Sequence, residues 1–271
     1  MKLHDPQDLY ELWERQHWLS QDIDLTTDVE QWAAITPDTK EALMRALASF
    51  FIGEERVASQ FCGLIRSAAN PQELSYLTTQ QVDESRHMQF FDRFYREVVK
   101  LDVSAMSERV DHARDRLGDD FAAIVETRLT AVDRRLLDAP DDIEAKVDYV
   151  TIYHMVIEGM LGIAGQRAVR EFLERHGAIL PGLRLGFELI ERDEHRHVAY
   201  GTWFLAQAAA RDPRLGDRVR ERLAEVIPTA LGSIRRDSPK HAEQVCDFAL
   251  LALRRRLSVV GISLDRELVT R

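Results

Sequence analysis

Apolar residues recur at helical spacing along almost the whole chain, and no stretch shows the period-two alternation of a half-buried strand. From Asp8 to about Leu19, and from Asp28 to Ile35, the pattern predicts short amphipathic pieces. Their tryptophans, Trp13, Trp18 and Trp32, read as packing side chains that close one end of a helical bundle, with core packing preferred over an electron-transfer role for Trp32. Thr36-Pro37 opens a long helix expected to reach about Ala68, since proline is tolerated in the first turn and acids follow it. Asn70-Pro71-Gln72-Glu73 opens a second, with Asn as cap and Glu73 able to complete a capping box, running to about Leu101. Ser104 to Asp138 is charged and weakly periodic, and Gly118-Asp119-Asp120 predicts a break between two helical pieces. Pro140-Asp141-Asp142 starts a third long helix, through the very apolar stretch 149–164 to a stop at Gly177. Pro181 starts a fourth, ending near Arg211-Asp212-Pro213, and helices over about 213–231 and 239–258 follow. The expected architecture is all-α: a single domain over 1–271, with a four-helix bundle over about 36–210 and accessory helices at both ends.

Two of the long helices carry the same string about a hundred residues apart: Asp83-Glu84-Ser85-Arg86-His87 and Asp193-Glu194-His195-Arg196-His197. Glu and His three positions apart project from one helix face, so each string can offer a carboxylate and an imidazole to one metal ion. A bare E-x-x-H is a weak signal. A third copy, Glu14-Arg15-Gln16-His17, lies in the amphipathic N-terminal region and reads as surface. The longer string, written twice at equivalent places, is far harder to obtain by chance.

A dimetal bundle also needs a carboxylate from each of the other two helices, recognisable as an acid on an apolar face. In the third, Glu158 is the only acid of Tyr153-His154-Met155-Val156-Ile157-Glu158-Gly159-Met160-Leu161, and a carboxylate buried there requires a cation or hydrogen-bond partner. In the first, both Glu54 and Glu55 fall among apolar neighbours, and periodicity does not choose between them. The set is then one of these two with Glu84, His87, Glu158, Glu194 and His197, an oxygen-rich donor group suited to iron or manganese rather than to structural zinc. Asp83 and Asp193 are expected to accept the free N–H of a ligand histidine, and Arg86 and Arg196 to pair with nearby carboxylates.

Composition narrows the class. At 271 residues and 45% hydrophobic the chain can bury one sizeable core, and its formal charge of −10 with interspersed signs argues against nucleic acid or a polybasic membrane anchor. No run approaches a membrane span, the N-terminal region lacks a signal-peptide apolar segment, and Cys62 and Cys246 read as reduced core thiols, so a cytoplasmic location is expected.

At these residues the chain resembles the ribonucleotide reductase small-subunit superfamily of ferritin-like dimetal proteins, over roughly residues 36–210. Two departures from the reductase subunits stand out. Their radical-bearing tyrosine, four residues after the first ligand histidine, is here Phe91, and the last residues, Leu264 to Arg271, lack their tyrosine-bearing tail. The chain is more similar to the ligand-binding oxidases of that superfamily, whose first metal ligand opens a Glu-Glu-x-Val string, matched by Glu54-Glu55-Arg56-Val57. This resemblance selects Glu54. In that family the valine is joined through Cβ to the oxygen of a tyrosine five residues before the third-helix ligand, and the same offset from Glu158 gives Tyr153. The resemblance implies a manganese–iron centre (two irons being the alternative), O2 as oxidant, two-electron C–H oxidation, a bound long-chain fatty acid, a Val57–Tyr153 ether and a homodimer. The competing classes are a radical-generating reductase subunit and a ferroxidase-like metal store.

Overall fold

The computed structural model describes residues 3–237 and 241–264. Among them there is no strand, as the periodicity predicts. The chain begins with α1 (Pro6–Arg15), a 3₁₀ turn at Ser20–Asp22 and α2 (Thr26–Ala34). Four long helical runs follow. They are α3 (Pro37–Ser59), α5 (Pro71–Phe94), the pair α9 (Ile143–Val150) and α10 (Ile163–Arg175) joined by a π-helical stretch, and α11 (Pro181–Arg211). Short α4 (Cys62–Arg66) lies between the first two, and α6 (Met106–Arg114), α7 (Asp119–Ala122) and α8 (Leu129–Asp138) connect the halves. The break expected at Gly118 is present, as α7 starts immediately after it. Two further helices, α12 (Pro213–Asp237) and α13 (Ala242–Val260), pack against the second half. No helix among the described residues is long and apolar enough to cross a membrane.

Local chemistry explains most of the boundaries. Asn70 Oδ1 accepts from Glu73 N at 2.9 Å and Asp142 Oδ1 from Ala145 N at 3.0 Å, capping α5 and α9. Glu73 does not return to the Asn70 backbone to close a capping box; its Oε2 accepts from Ala69 N at 2.6 Å. Leu180, before α11, is left-handed (φ 55°), and the first N–H groups of that helix, Gly182 and Leu183, donate to Asp28 of α2, both at 2.8 Å. An acid from a distant helix thus performs the capping, in keeping with the dipole at a helix N-terminus.

Three sequence expectations are corrected, and two lie outside the described residues. The first long helix stops at Ser59 instead of continuing to Ala68, because Gln60 leaves helical geometry (φ −111°, ψ 29°) and its freed carbonyl accepts from Tyr149 Oη at 2.7 Å. Apolar periodicity hides the break, since Phe61 and Leu64 stay buried on the far side of it. α12 continues through Pro228 to Asp237, six residues past the expected end, its buried Ala230, Leu231 and Ile234 keeping it on the core. Cys62 is exposed rather than core, whereas Cys246 is buried, and both are free thiols. The expected helix start at Pro239 and the C-terminal sequence from 265 onward lie outside the described residues.

The third helical run is widened: residues Thr151–Gly162 are π-helical, and such bulges are frequent at functional sites. This stretch packs against α11, and Gly201 permits the close approach, because a Cβ there would collide with the His154 side chain.

Candidate metal centre

Six side chains from the four long runs converge in the bundle interior: Glu54 (α3), Glu84 and His87 (α5), Glu158 (the π-helical stretch), and Glu194 and His197 (α11). All are buried. Two overlapping groups, Glu54/Glu84/His87/Glu194 and Glu84/Glu158/Glu194/His197, each place one potential ligand atom per residue within 4.8 Å of the others. Glu84 and Glu194 belong to both groups, so a pair of cations held here would share them. Glu55, left open by periodicity, points elsewhere; it pairs with Arg56 Nε at 2.6 Å and Arg114 at 3.6 Å.

Both imidazoles aim Nδ1 at this cluster. His87 Nδ1 lies 3.2 Å from Glu54 and 3.7 Å from Glu84 and Glu194; His197 Nδ1 lies 2.9 Å from Glu158 and 3.0 Å from Glu84. Their other nitrogens face the two aspartates, but crosswise. His87 Nε2 is 3.2 Å from Asp193, and His197 Nε2 is 3.1 Å from Asp83, so each string's aspartate serves the other string's histidine. With Nε2–H donated to a carboxylate, Nδ1 is the nitrogen left to bind a metal once it has given up its own proton.

The aspartates are themselves held. Arg196 Nη2 donates to Asp83 at 2.9 Å and to Asp193 at 2.6 Å, and Arg86 also donates to Asp83. Trp13 Nε1 donates to Asp83 at 2.8 Å and Trp18 Nε1 to Asp193 at 2.7 Å. The two tryptophans read from sequence as packing groups are therefore hydrogen-bond donors one residue removed from the histidines. Nothing in the local pattern signals this, as their partners lie 70 and 175 positions away. The third E-x-x-H stays at the surface, with Glu14 and His17 exposed, as expected.

Electrostatics separate this interior from an ordinary set of ion pairs. Burial pushes Glu54 up to about 8 against the pull of His87, and Glu158 up to about 6 against that of His197. Burial also raises Glu194, with Glu158 and Glu84 adding to the effect. Glu84 goes the other way, because His197 and His87 overcome its burial. Both histidines are held well above their usual range, since neighbouring carboxylates, Glu54 for His87 and Glu158 for His197, outweigh the burial that opposes their charge. Without metal, protons supply the positive charge the carboxylates require. Even so, Glu158 Oε2 and Glu194 Oε2 remain buried with no hydrogen-bond partner among the described residues. Hard, oxygen-rich and anionic, this donor set fits two iron or manganese ions.

A cavity of about 630 Å³ opens onto the cluster, its wall including Glu54, Glu84, Glu158 and Glu194 together with mostly apolar residues. Val57 and Tyr153 both line it and both are buried. Tyr153 Oη donates to Glu84 Oε1 at 2.5 Å and accepts from Gln80 Nε2 at 3.0 Å; burial and the surrounding carboxylates raise its pKa, keeping the phenol protonated. Phe91 sits among Phe50, Phe90 and Phe187 instead, ring centroids 5.5–6.0 Å apart.

A family model described as ribonucleotide reductase, small chain, matches residues 1–232. Among solved structures the chain is similar to R2-like ligand-binding oxidase. A tyrosine-to-phenylalanine mutant with aerobically reconstituted Mn/Fe cofactor matches at TM-score 0.85 and 24% identity, over 96% of this chain and 94% of that one. A valine-to-isoleucine mutant with anaerobically reconstituted Mn/Fe cofactor matches at 0.86 and 24% over the same shares. These likenesses establish a shared all-α, ferritin-like fold across nearly the whole chain.

Proposed function

This chain belongs to the ribonucleotide reductase small-chain family, and on that premise we propose that it is an O2-activating dimetal oxidase that binds an apolar ligand. Glu54 and His87 would hold one ion and Glu158 and His197 the other, with Glu84 and Glu194 between them. A manganese–iron or two-iron pair supplies two-electron C–H oxidation driven by O2. The solved neighbours carry a Mn/Fe cofactor by their descriptions, which favours the mixed pair.

The single observation that carries the reading is that the carboxylate cluster, Val57 and Tyr153 share one apolar cavity. Apolar walls exclude water, and the same walls suit the chain of a long-chain fatty acid whose carboxylate faces the metal end. Val57 offers a tertiary Cβ–H, and Tyr153 offers a phenol whose proton already points at Glu84 Oε1. Ether formation breaks that C–H and the O–H, makes one C–O bond, and releases two protons and two electrons, the electrons passing to O2. Glu84 is the carboxylate in position to receive the phenol proton. Asp83 and Asp193, pinned by Arg196 and the tryptophans, fix the imidazole tautomers throughout.

Intact mass after aerobic metal loading tests this. A loss of two hydrogens is expected in the wild type and none in Tyr153→Phe; an unchanged wild-type mass removes the cross-link. The family match also favours a second reading, a radical-generating reductase subunit. Against it, Phe91 lies in a phenylalanine cluster with no phenol at that position. Nucleotide reduction with a large reductase subunit would establish that alternative.

A further inference from the structure

Gln80 lies on α5 one turn before Glu84, and it is fully buried. Its carboxamide meets the π-helical stretch. Amide Nε2 donates to Tyr153 Oη at 3.0 Å and lies 3.2 Å from His154 Nε2, while Oε1 lies 3.3 Å from the same imidazole nitrogen. Burial holds His154 well below the usual histidine range, so the ring is neutral, and in either tautomer its Nε2 has an amide atom to pair with. The ring is packed in place, with centroids 4.4 Å from Tyr153 and 5.3 Å from Tyr200, and α11 comes into contact with it at Gly201. A phenol oxygen can accept one hydrogen bond while giving its own proton to another group. With an N–H of Gln80 already on it, Tyr153 Oη gives its proton to Glu84 Oε1 at 2.5 Å. Turned over, the carboxamide would present Oε1 to the phenol and compete with Glu84 for that proton. Hydrogen bonds in a chain polarise one another, so accepting from Gln80 makes the phenol a better donor to Glu84. A buried amide is unfavourable unless its hydrogen bonds are used.

We propose that Gln80, braced by His154, is a positioning residue for Tyr153: it directs the phenol proton onto Glu84 and so readies the phenol oxygen for coupling to Val57. The direction of the proton stands on the hydrogen bonds alone; the consequence for coupling rests on the oxidase reading. In that coupling the phenol proton passes to Glu84, the oxygen gains a bond to carbon, and the two electrons leave to O2. An ether oxygen still accepts but has nothing to donate, so the Gln80 N–H keeps its partner before and after the step. Tyr149 supplies the contrast. Its ring centroid is 5.9 Å from that of Tyr153, but its Oη donates to the Gln60 carbonyl and not to a carboxylate of the cluster. Of two neighbouring buried phenols, only the one held by Gln80 has a carboxylate to take its proton.

The test uses the full chain with two substitutions: Gln80→Met keeps the side-chain length and removes the donor, and Gln80→Asn draws the amide back by one methylene. In the metal-free protein the Tyr153 hydroxyl proton is read by NMR as the far-downfield resonance missing from Tyr153→Phe. That resonance is expected to move upfield or to broaden through exchange in both variants, a change that a glutamine needed only for packing would not produce in Gln80→Met. After aerobic metal loading, the loss of two hydrogens is expected to be roughly tenfold slower in both variants, the effect of one lost hydrogen bond, with metal content per chain unchanged. If Gln80→Met does not fold, Gln80→Asn carries both measurements. An unmoved resonance, or coupling at the wild-type rate in variants that hold the wild-type amount of metal, overturns the proposal. If the wild type itself loses no mass, the cross-link reading fails, and the resonance still decides whether Gln80 directs the proton: a shift supports it and an unchanged position overturns it.

Discussion

Glu73 and Glu158 are both glutamates on bundle helices and both nearly inaccessible, at 2% and 4% exposure, but the protein treats them in opposite ways. Glu73 is fully answered: Lys146 Nζ at 2.9 Å, Tyr200 Oη at 2.6 Å and Ala69 N at 2.6 Å all donate to it. Glu158 has His197 at 2.9 Å on one oxygen and nothing on the other. A buried carboxylate whose acceptors are all filled by the protein is part of the architecture. One left with an unfilled oxygen, beside three more carboxylates and two imidazoles, is arranged for something the polypeptide does not itself supply.

The contrast can be broken from either side. The largest effect is expected from Lys146→Met, which strands the Glu73 charge in the interior. About 3–5 kcal/mol of unfolding free energy should be lost in a denaturant titration, with metal content per folded chain unchanged. A loss below about 1 kcal/mol would mean that the lysine is not needed to satisfy Glu73, and the contrast would weaken. Tyr200→Phe removes one hydrogen bond to the same carboxylate and should destabilise by roughly 1.5–3 kcal/mol in the same assay. Glu158→Gln should act differently. Metal content falls from two ions per chain, read by elemental analysis, while the stability of the metal-free protein stays within about 1 kcal/mol of wild type or rises, since an incompletely paired buried acid has been removed.

A gentler perturbation is pH. Carboxyls raised above their usual 4.5, Glu54 to about 8 and Glu158 to about 6, bind more protons folded than unfolded. Stability is then greatest at the acid side of that window and falls as pH rises from about 4.5 toward 8. The raised histidines act in the same direction above their usual value. Melting temperature against pH should therefore slope downward for the metal-free protein, and the slope should flatten once metals replace the protons. A rising metal-free profile would contradict the assigned shifts.

Much of this was legible in the sequence because local chemistry carries it. Proline and capping residues mark the starts of the long helices at Thr36, Asn70, Asp142 and Pro181, and the repeated D-E-x-R-H string places four of the six clustered side chains. Glu158 stood out because an acid in an apolar run needs a partner. What escaped depends on distance in sequence. Between Glu54 and Glu55 periodicity was neutral, because the choice turns on which way each side chain faces across the bundle, and the Glu-Glu-x-Val resemblance alone selected Glu54. The crossed aspartate–histidine pairs and the Trp13 and Trp18 donors join elements far apart in the chain. The helix end at Ser59 was masked because apolar spacing runs straight across it.

Anomalous diffraction at the manganese and iron edges, from crystals grown after aerobic metal loading, tests the central claim most directly. The account predicts two metal peaks in the cluster, one in contact with Glu54 and His87 and the other with Glu158 and His197. A cluster with no peak, or with a single ion only, would contradict it.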